Sequence, residues 1–228
     1  MKPLRGTYVH RGDAQRRQTR IKRCLLGAGL FGAALGAWDG PVAREAHATV
    51  WRGGAEGEVG AMRAQLDETR GALDLANAQL QRWNRIYNFS SRYKIGADLA
   101  EAIHDISLAE GIEPELAFRL VKIESEFNER ATSRVGAIGL TQLMLPTARY
   151  FEKGVTRDRL YDRETNLRVG FRYLRALIRE HDGDVALALL VYNRGPQAVN
   201  AARGRGIDPS NGYEHAVMRG YTGAATVD

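Results

Sequence analysis

The chain lacks the residues that form disulfides and clustered metal sites. Cys24 is the only cysteine among 228 residues, so an intrachain disulfide and a zinc site built from several thiolates are both excluded. The five histidines are scattered, and none stands in a metal-ligand spacing such as H-E-x-x-H. The sequence therefore predicts neither a metal nor any other cofactor.

The chain also has no alternating polar and apolar run of the length that a half-buried strand needs. Residues 92–222 instead carry short amphipathic patterns with a helical period, separated by polar breaks. These patterns predict an all-α domain over 92–222, and the almost wholly apolar stretch 184–193 is expected at its centre.

Excess basic charge is confined to the N-terminus. Residues 1–23 hold eight Lys/Arg and one Asp, whereas the rest of the chain holds 25 basic and 26 acidic residues. The formal net charge of +6 therefore describes a basic tail and not the folded part. The folded part has no excess of positive charge with which to bind a phosphate backbone, so no nucleic-acid partner is expected.

An apolar stretch rich in Gly and Ala follows the tail at residues 24–38. A basic segment before an apolar core is the order of a secretory signal, and this core is shorter than the roughly 20 residues of a full bilayer span. Small residues at 46–48 and 34–36 offer two cleavage sites. Residues 24–48 therefore predict a signal peptide, with an uncleaved membrane anchor as the alternative. Both alternatives predict export to the periplasm or cell envelope. An uncleaved anchor would in addition keep the N-terminus in the cytoplasm.

Residues 49–57 are interpreted as a Gly-bearing linker, and residues 58–90 predict one amphipathic helix. Its apolar positions alternate in steps of three and four, as in a coiled coil. They form a seam: Val59, Met62, Leu66, Thr69, Leu73, Ala76, Leu80, Trp83 and Tyr87. A parallel coiled coil that makes a homo-oligomer and a helix packed on the adjoining domain both fit, because Thr69 and Ala76 weaken the seam.

One carboxylate lies on the apolar face of the predicted helix 114–127, PELAFRLVKIESEF. Pro114 suits its first turn, and Glu124 lies four residues after Leu120 and three before Phe127. Glu126 falls on the solvent side. Glu124 is either a helix-edge residue whose stem packs, or an acid whose pKa is raised by burial so that it keeps a proton near neutral pH.

Four separated segments then resemble one family. They are IESEFN (123–128), SRVGAIGLTQLMLPTA (133–148), NLRVGFRYL (166–174) and ALLVYNRGPQAV (188–199). Together, over about residues 95–220, they resemble the soluble lytic transglycosylases. The resemblance implies a lysozyme-like all-α domain that cuts peptidoglycan glycan strands. The implied reaction breaks the β-1,4 bond after N-acetylmuramic acid without water and leaves a 1,6-anhydro end.

The resemblance implies a single catalytic acid, which maps to Glu124. It implies substrate-binding or bracing roles for seven further residues: Ser125, Ser133, Gln142, Met144, Tyr192, Asn193 and Tyr213. Among these, Tyr192 is expected to reach Glu124 or the sugar beside the breaking bond. One carboxyl group suffices because the nucleophile belongs to the substrate, whereas hydrolysing glycosidases use two.

Three positions depart from the family pattern. Thr141 stands where Met is common and is expected to change the polarity of the cleft. Leu145 shifts Pro146 one place later, and Arg194 replaces a residue that is commonly small.

Two other functions stay open at this point. A goose-type lysozyme-like hydrolase would need a second carboxylate across the cleft, for which Asp158, Asp162 and Asp182 are available. A non-catalytic glycan-binding or scaffold protein of an envelope complex would not need a buried acid.

Overall fold

A computed structural model describes residues 41–227, with side chains from residue 57 onward. The helices are α1 (Pro41–Tyr93), α2 (Ala97–Ala109), α3 (Pro114–Ser125), α4 (Leu145–Phe151), a short 3₁₀ helix (Asp158–Tyr161), α5 (Arg163–Glu180), α6 (Val185–Arg194), α7 (Pro196–Gly204) and α8 (Tyr213–Met218). Within residues 41–227 the β-type pairings are isolated bridges, so the all-α prediction is confirmed. The basic tail (1–23) and the apolar stretch (24–38) lie outside the described residues.

The chain divides into two compact units between Leu75 and Ala76. Of the first unit the structure describes residues 41–75, which are helical, and every side chain from residue 57 to 75 is exposed. Residues 49–57, where the sequence predicts a linker, are part of α1. Among residues 41–227, no helix has an apolar stretch long enough to cross a membrane.

The core of the second unit is built from α2, α3, α5 and α6. One residue from each of these helices, in chain order Ile103, Leu116, Phe171 and Leu189, is fully buried. Helix α6 buries four consecutive residues, 188–191, as its nearly continuous apolar sequence predicts. Burying side chains of this size stabilises the fold by about 1.5–3 kcal/mol each.

The last turns of α1 pack on this core through one face. Ile86 is buried, and the ring of Phe89 stacks on Phe118 with centroids 4.1 Å apart. Arg82 pairs with Glu101 and Asp105 of α2 at the edge of that face. The seam residues of this segment point elsewhere, and Leu80, Trp83 and Tyr87 are all exposed.

Two apolar side chains and one helix end depart from a simple helical pattern. Leu108 of α2 is 42% exposed and Ile123 of α3 is 43% exposed. Helix α3 ends at Ser125, because Glu126 and Phe127 adopt left-handed backbone angles with φ of 52° and 66°. Phe127 is buried as predicted, but it reaches the core from a turn, which a helical period does not describe.

Candidate active site

Glu124 occupies the last turn of α3 with its side chain partly buried. Burial raises the pKa of its carboxyl from 4.5 to about 7, while a hydrogen bond from Tyr213 acts in the opposite direction. Removal from water disfavours the charged form, and a donor hydroxyl favours it. The group is therefore poised to hold or release a proton near neutral pH.

Tyr213 is the side chain that contacts this carboxyl. It is the first residue of α8, and its hydroxyl donates to Oε1 of Glu124. Burial and the negative charge of Glu124 raise the pKa of the Tyr213 hydroxyl well above 10, so the phenol stays protonated and acts as a donor.

Tyr192 does not hydrogen-bond Glu124, so of the two contacts expected for it the one with the sugar stays a prediction. Its hydroxyl donates to the carbonyl oxygen of Thr141 at 2.9 Å. The Glu124 charge still helps raise the Tyr192 pKa, so the two groups are electrostatic neighbours. The ring of Tyr192 packs at 4.9 Å from that of Tyr173. Tyr192 thus lies between the Thr141 carbonyl and the Tyr173 ring, and the direct contact with Glu124 is made by Tyr213.

Ser125 follows Glu124 and is buried. Its hydroxyl donates to the carbonyl of Val121 at 3.2 Å, four residues earlier in the same helix. Glu126 then caps α3 in a left-handed conformation, its amide bonding Lys122. The hydroxyl of Ser125 therefore supports the turn that carries the acid.

Ser133 and Gln142 shape the loop between α3 and α4. The Ser133 hydroxyl accepts from the amide of Ala137 at 2.9 Å. Gln142 adopts a φ of 47°, and its side-chain amide donates to the carbonyls of Gly139 and Ala131. Both predicted substrate-binding side chains are thus engaged with the loop itself.

Asn166 is a site-supporting residue that the sequence reasoning did not single out. It is 1% exposed on α5, and its Nδ2 donates to the carbonyls of Ile138 and Leu160 at 2.9 Å each. Its Oδ1 accepts from the amide and the hydroxyl of Thr141. One side chain therefore pairs with three buried backbone groups, two in the loop between α3 and α4 and one in the 3₁₀ helix, and a buried backbone group is costly to leave unpaired.

Thr141 does not line the cleft, so the expectation that it changes cleft polarity is wrong. It is fully buried between Asn166 and Gly170, where a Cβ on Gly170 would lie 2.3 Å from its Oγ1. Its carbonyl is the acceptor for Tyr192. A position on the inner side of the loop explains why a small hydrogen-bonding residue fits there.

The other predicted residues lie at exposed positions. Met144 precedes α4 and is 40% exposed. The amide oxygen of Asn193 accepts from Asn211 at 2.9 Å, next to the segment that leads into Tyr213. Arg194 donates to the carbonyl of Pro209 in the same segment. The end of α6 therefore holds the loop that precedes α8.

Gly139 is required by two independent constraints, which a pair of alanine variants separates. Its φ is +75°, and an added Cβ would lie 2.3 Å from Nδ2 of Asn166 and 2.7 Å from the carbonyl oxygen of Leu160. Gly136 has a φ of +93° with open space around it. We expect Gly136→Ala to lower the free energy of unfolding by about 1–2 kcal/mol, because of backbone strain alone. Gly139→Ala should lower it by about 2 kcal/mol more, because its Cβ also clashes with its neighbours. Urea unfolding of both variants measures this, and equal losses would contradict the role given to Asn166.

Of the acids available for a second catalytic carboxylate, Asp162 is committed to structure. It caps α5, accepting from the amide and hydroxyl of Thr165 at 3.0 and 2.6 Å. In the part of the chain that the structure describes, no three His, Cys, Asp or Glu side chains are placed to share a metal ion.

Three comparisons bear on this site. Residues 101–210 match the sequence model of the Transglycosylase SLT domain. A protein of Enterobacteria phage PRD1 named "Transglycosylase" is 40% identical over 100 residues, which cover 44% of this chain and 36% of the phage protein. The matched region thus spans about a third of that relative.

Two solved structures are also similar. The 70 kDa soluble lytic transglycosylase of Escherichia coli is 25% identical, with a TM-score of 0.47, over 57% of this chain and 24% of that one. An inactive mutant of lytic transglycosylase Slt of Pseudomonas aeruginosa is 23% identical, with a TM-score of 0.38, over 59% of this chain and 22% of that one.

Proposed function

Because residues 101–210 form an SLT-type, lysozyme-like domain, we propose that this protein is a lytic transglycosylase that cleaves peptidoglycan glycan strands. The observation that carries the proposal is Glu124, a partly buried carboxyl group with a pKa of about 7 that accepts a hydrogen bond from Tyr213. The phage relative is named for the same activity and supports it.

The proposed reaction needs one acid–base group. Protonated Glu124 gives its proton to the glycosidic oxygen between N-acetylmuramic acid and N-acetylglucosamine as the bond from that oxygen to C1 breaks. The C6 oxygen of the same muramic acid then bonds to C1, and its proton passes to the Glu124 carboxylate. The acid is regenerated, no water is consumed, and the new end is a 1,6-anhydro sugar.

Burial and the Tyr213 hydroxyl have opposite effects on Glu124, and the reaction uses both. Burial raises the free energy of the charged carboxylate. The carboxylate is therefore a stronger base toward the C6 proton. The Tyr213 hydroxyl stabilises that charged form and fixes which carboxyl oxygen faces the substrate. A pKa near 7 is the balance of the two.

The pH dependence of cleavage follows from the same balance. The acid must be protonated when substrate binds, and its pKa is about 7. We expect kcat/KM to fall as pH rises through about 7, approaching a tenfold loss per pH unit above it. Initial rates of soluble muropeptide release between pH 4 and 9 measure this, and a rate that still rises above pH 8 would contradict the assignment.

The experiment that tests the proposed function is solubilisation of purified peptidoglycan by the full chain in mild detergent. Release of soluble glycan fragments supports an enzyme, whereas co-sedimentation with the insoluble material without release supports a binding or scaffold protein. An exposed residue of the helix that carries the acid offers an internal check. Lys122→Gln keeps Glu124, Ser125 and Tyr213 and should retain most of the activity.

Export directed by the N-terminus completes the proposal, because peptidoglycan lies outside the cytoplasm. The basic tail followed by the apolar stretch 24–38 supports export, with a cleaved signal peptide and an uncleaved membrane anchor as the two alternatives. A reporter that is active only after export, fused behind residue 57, tests this part.

The seam of α1 supports self-association of the chain. Its large apolar side chains are exposed, Met62 by 70% and Leu73 by 60%. The part of α1 from residue 57 to residue 75 contains Gly60 and Gly71 and has exposed side chains throughout, and such a segment is poorly stable in water as a lone helix. In heptad terms Glu58 and Arg63 fall at facing positions of opposite charge between parallel copies.

We expect residues 41–227 to sediment as a dimer or trimer. Glu at both Leu66 and Leu73 should produce a monomer, because it places charges in the seam. Leu75→Glu is the matched control, since Leu75 is 62% exposed but lies off the seam. A wild-type monomer at the highest soluble concentration would contradict self-association.

A further inference from the structure

Tyr213 stands on a helix that cannot fix its own position. Helix α8 contains six residues, Tyr213–Met218, and a helix of that length is not stable by itself in water. Its place against α3 must therefore come from tertiary contacts. Because the Tyr213 hydroxyl contacts Glu124, any displacement of α8 along α3 moves that donor away from the acid.

Helices α3 and α8 run antiparallel in one register. Tyr213 meets Glu124 in the last turn of α3. At the other end of α8, Nη1 of Arg119 donates to the carbonyls of Val217 and Arg219. Five residues separate Arg119 from Glu124, and four to six separate their partners on α8. The two contacts are therefore separated by a similar distance along α3 and along α8.

The Arg119 guanidinium is itself held in place. Its Nε donates to Oε1 of Glu115, one turn earlier, at 2.7 Å, and its Cζ lies 5.8 Å from the ring centre of Tyr221. Arg92 also donates to Glu115 at 2.7 Å. The cation therefore has little freedom to leave the carbonyls at the end of α8, which are groups without partners inside that helix.

The residues after α8 are fastened to the start of α3. Tyr221 donates its hydroxyl to Glu113, and the amide of Glu113 donates to the carbonyl of Ala225 at 2.8 Å. The amide of Ala225 in turn donates to the Tyr221 hydroxyl at 2.7 Å. This second attachment keeps the Tyr221 ring beside Arg119.

We propose that Arg119 is a positioning residue, which fixes the register of α8 on α3 and so holds the Tyr213 hydroxyl against the Glu124 carboxyl. The catalytic consequence rests on the proposed function, but the structural linkage does not. Arg119 acts through Tyr213 and touches neither the acid nor the substrate.

A double-mutant cycle tests this linkage in the full chain. Arg119→Met, Tyr213→Phe and the double variant are compared for kcat, KM and the Glu124 pKa, the last from a ¹³C titration of labelled glutamate carboxyls. Loss of one resonance in Glu124→Gln assigns the signal. Arg203→Met, on an exposed position of α7, is the matched control.

We expect Arg119→Met to lower kcat about 10- to 100-fold with KM nearly unchanged, as small misplacements of catalytic geometry do. It should raise the Glu124 pKa toward the value in Tyr213→Phe, because both changes remove a donor to the carboxylate. In the Tyr213→Phe background it should have less than a twofold further effect on kcat and no further effect on the pKa.

Additive effects in the double variant would overturn the proposal, since they would mean that Arg119 acts independently of Tyr213. Indistinguishable behaviour of Arg119→Met and Arg203→Met would overturn it as well. If Arg119→Met does not fold, Glu115→Gln enters the same cycle, because it keeps Arg119 but removes its charged partner. A wild-type chain that fails to cut peptidoglycan would refute the proposed function, and the titration would still decide the linkage.

Discussion

Glu124→Gln is expected to abolish glycan cleavage while leaving the fold intact. An amide has no proton to give to the leaving oxygen and cannot take the C6 proton, so both steps of the proposed reaction lose their catalyst. General acid–base catalysis contributes about 10²–10⁴-fold, and we expect a loss of at least about 10³-fold. Release of soluble muropeptides measures it.

The same substitution should stabilise the protein, with a defined pH dependence. The Glu124 pKa is about 7 in the folded state and 4.5 when unperturbed. Below pH 4.5 the group is neutral in both states, and above pH 7 it is charged in both, so the stability that its raised pKa provides at low pH is lost across that window. Compared with wild type, the free energy of unfolding of Glu124→Gln should be about equal at pH 4 and about 3 kcal/mol higher at pH 8.

Glu126→Gln is the matched control for both measurements. Glu126 lies two residues away, is exposed, and caps the same helix through its backbone. Its side chain should matter little to activity, and its effect on stability should stay within about 0.5 kcal/mol. Residual cleavage by Glu124→Gln close to that of Glu126→Gln would contradict the assignment of the acid.

Asn166→Leu is expected to produce the largest loss of stability. The carbonyl of Leu160 and the amide of Thr141 would be left without their partner in a buried site, whereas the carbonyl of Ile138 would keep the amide of Leu143 at 3.0 Å. Each unpaired buried group costs about 1–3 kcal/mol, so we expect the two to lower the free energy of unfolding by about 2–6 kcal/mol, measured by urea unfolding.

Asn166→Leu should also lower activity, because the Thr141 carbonyl that anchors Tyr192 belongs to the same loop. Asn200→Leu, at an exposed position on α7, is the control and should change stability by less than about 0.5 kcal/mol. A loss below 1 kcal/mol for Asn166→Leu would mean that the loop finds other partners and that Asn166 does not organise the site.

Helical periodicity predicted the elements that pack by a simple face. The all-α class and the burial of α6 follow directly from spacing, and so does the partly buried position of Glu124. Asn166, a buried polar residue on the apolar side of α5, carries the same signal as Glu124. At this site, two functionally important residues, Glu124 and Asn166, are thus polar residues on apolar helix faces.

The remaining features depend on contacts that no local pattern contains. Tyr213 and Glu124 are 89 residues apart, and α8 is too short to have a recognisable period. The inward position of Thr141 follows from the room that Gly170 leaves for it. The end of α3 depends on two left-handed residues, neither of them glycine, which sequence preference does not predict.

The measurement that tests the central claim most directly is digestion of peptidoglycan in ¹⁸O-labelled water, followed by mass spectrometry of the released fragments. If Glu124 is the single acid and the substrate's own hydroxyl is the nucleophile, the wild-type chain releases fragments with anhydro ends that contain no ¹⁸O. Glu124→Gln then releases no fragments. Reducing ends that carry ¹⁸O would contradict it, because water would then be the nucleophile and a second carboxylate would have to activate it.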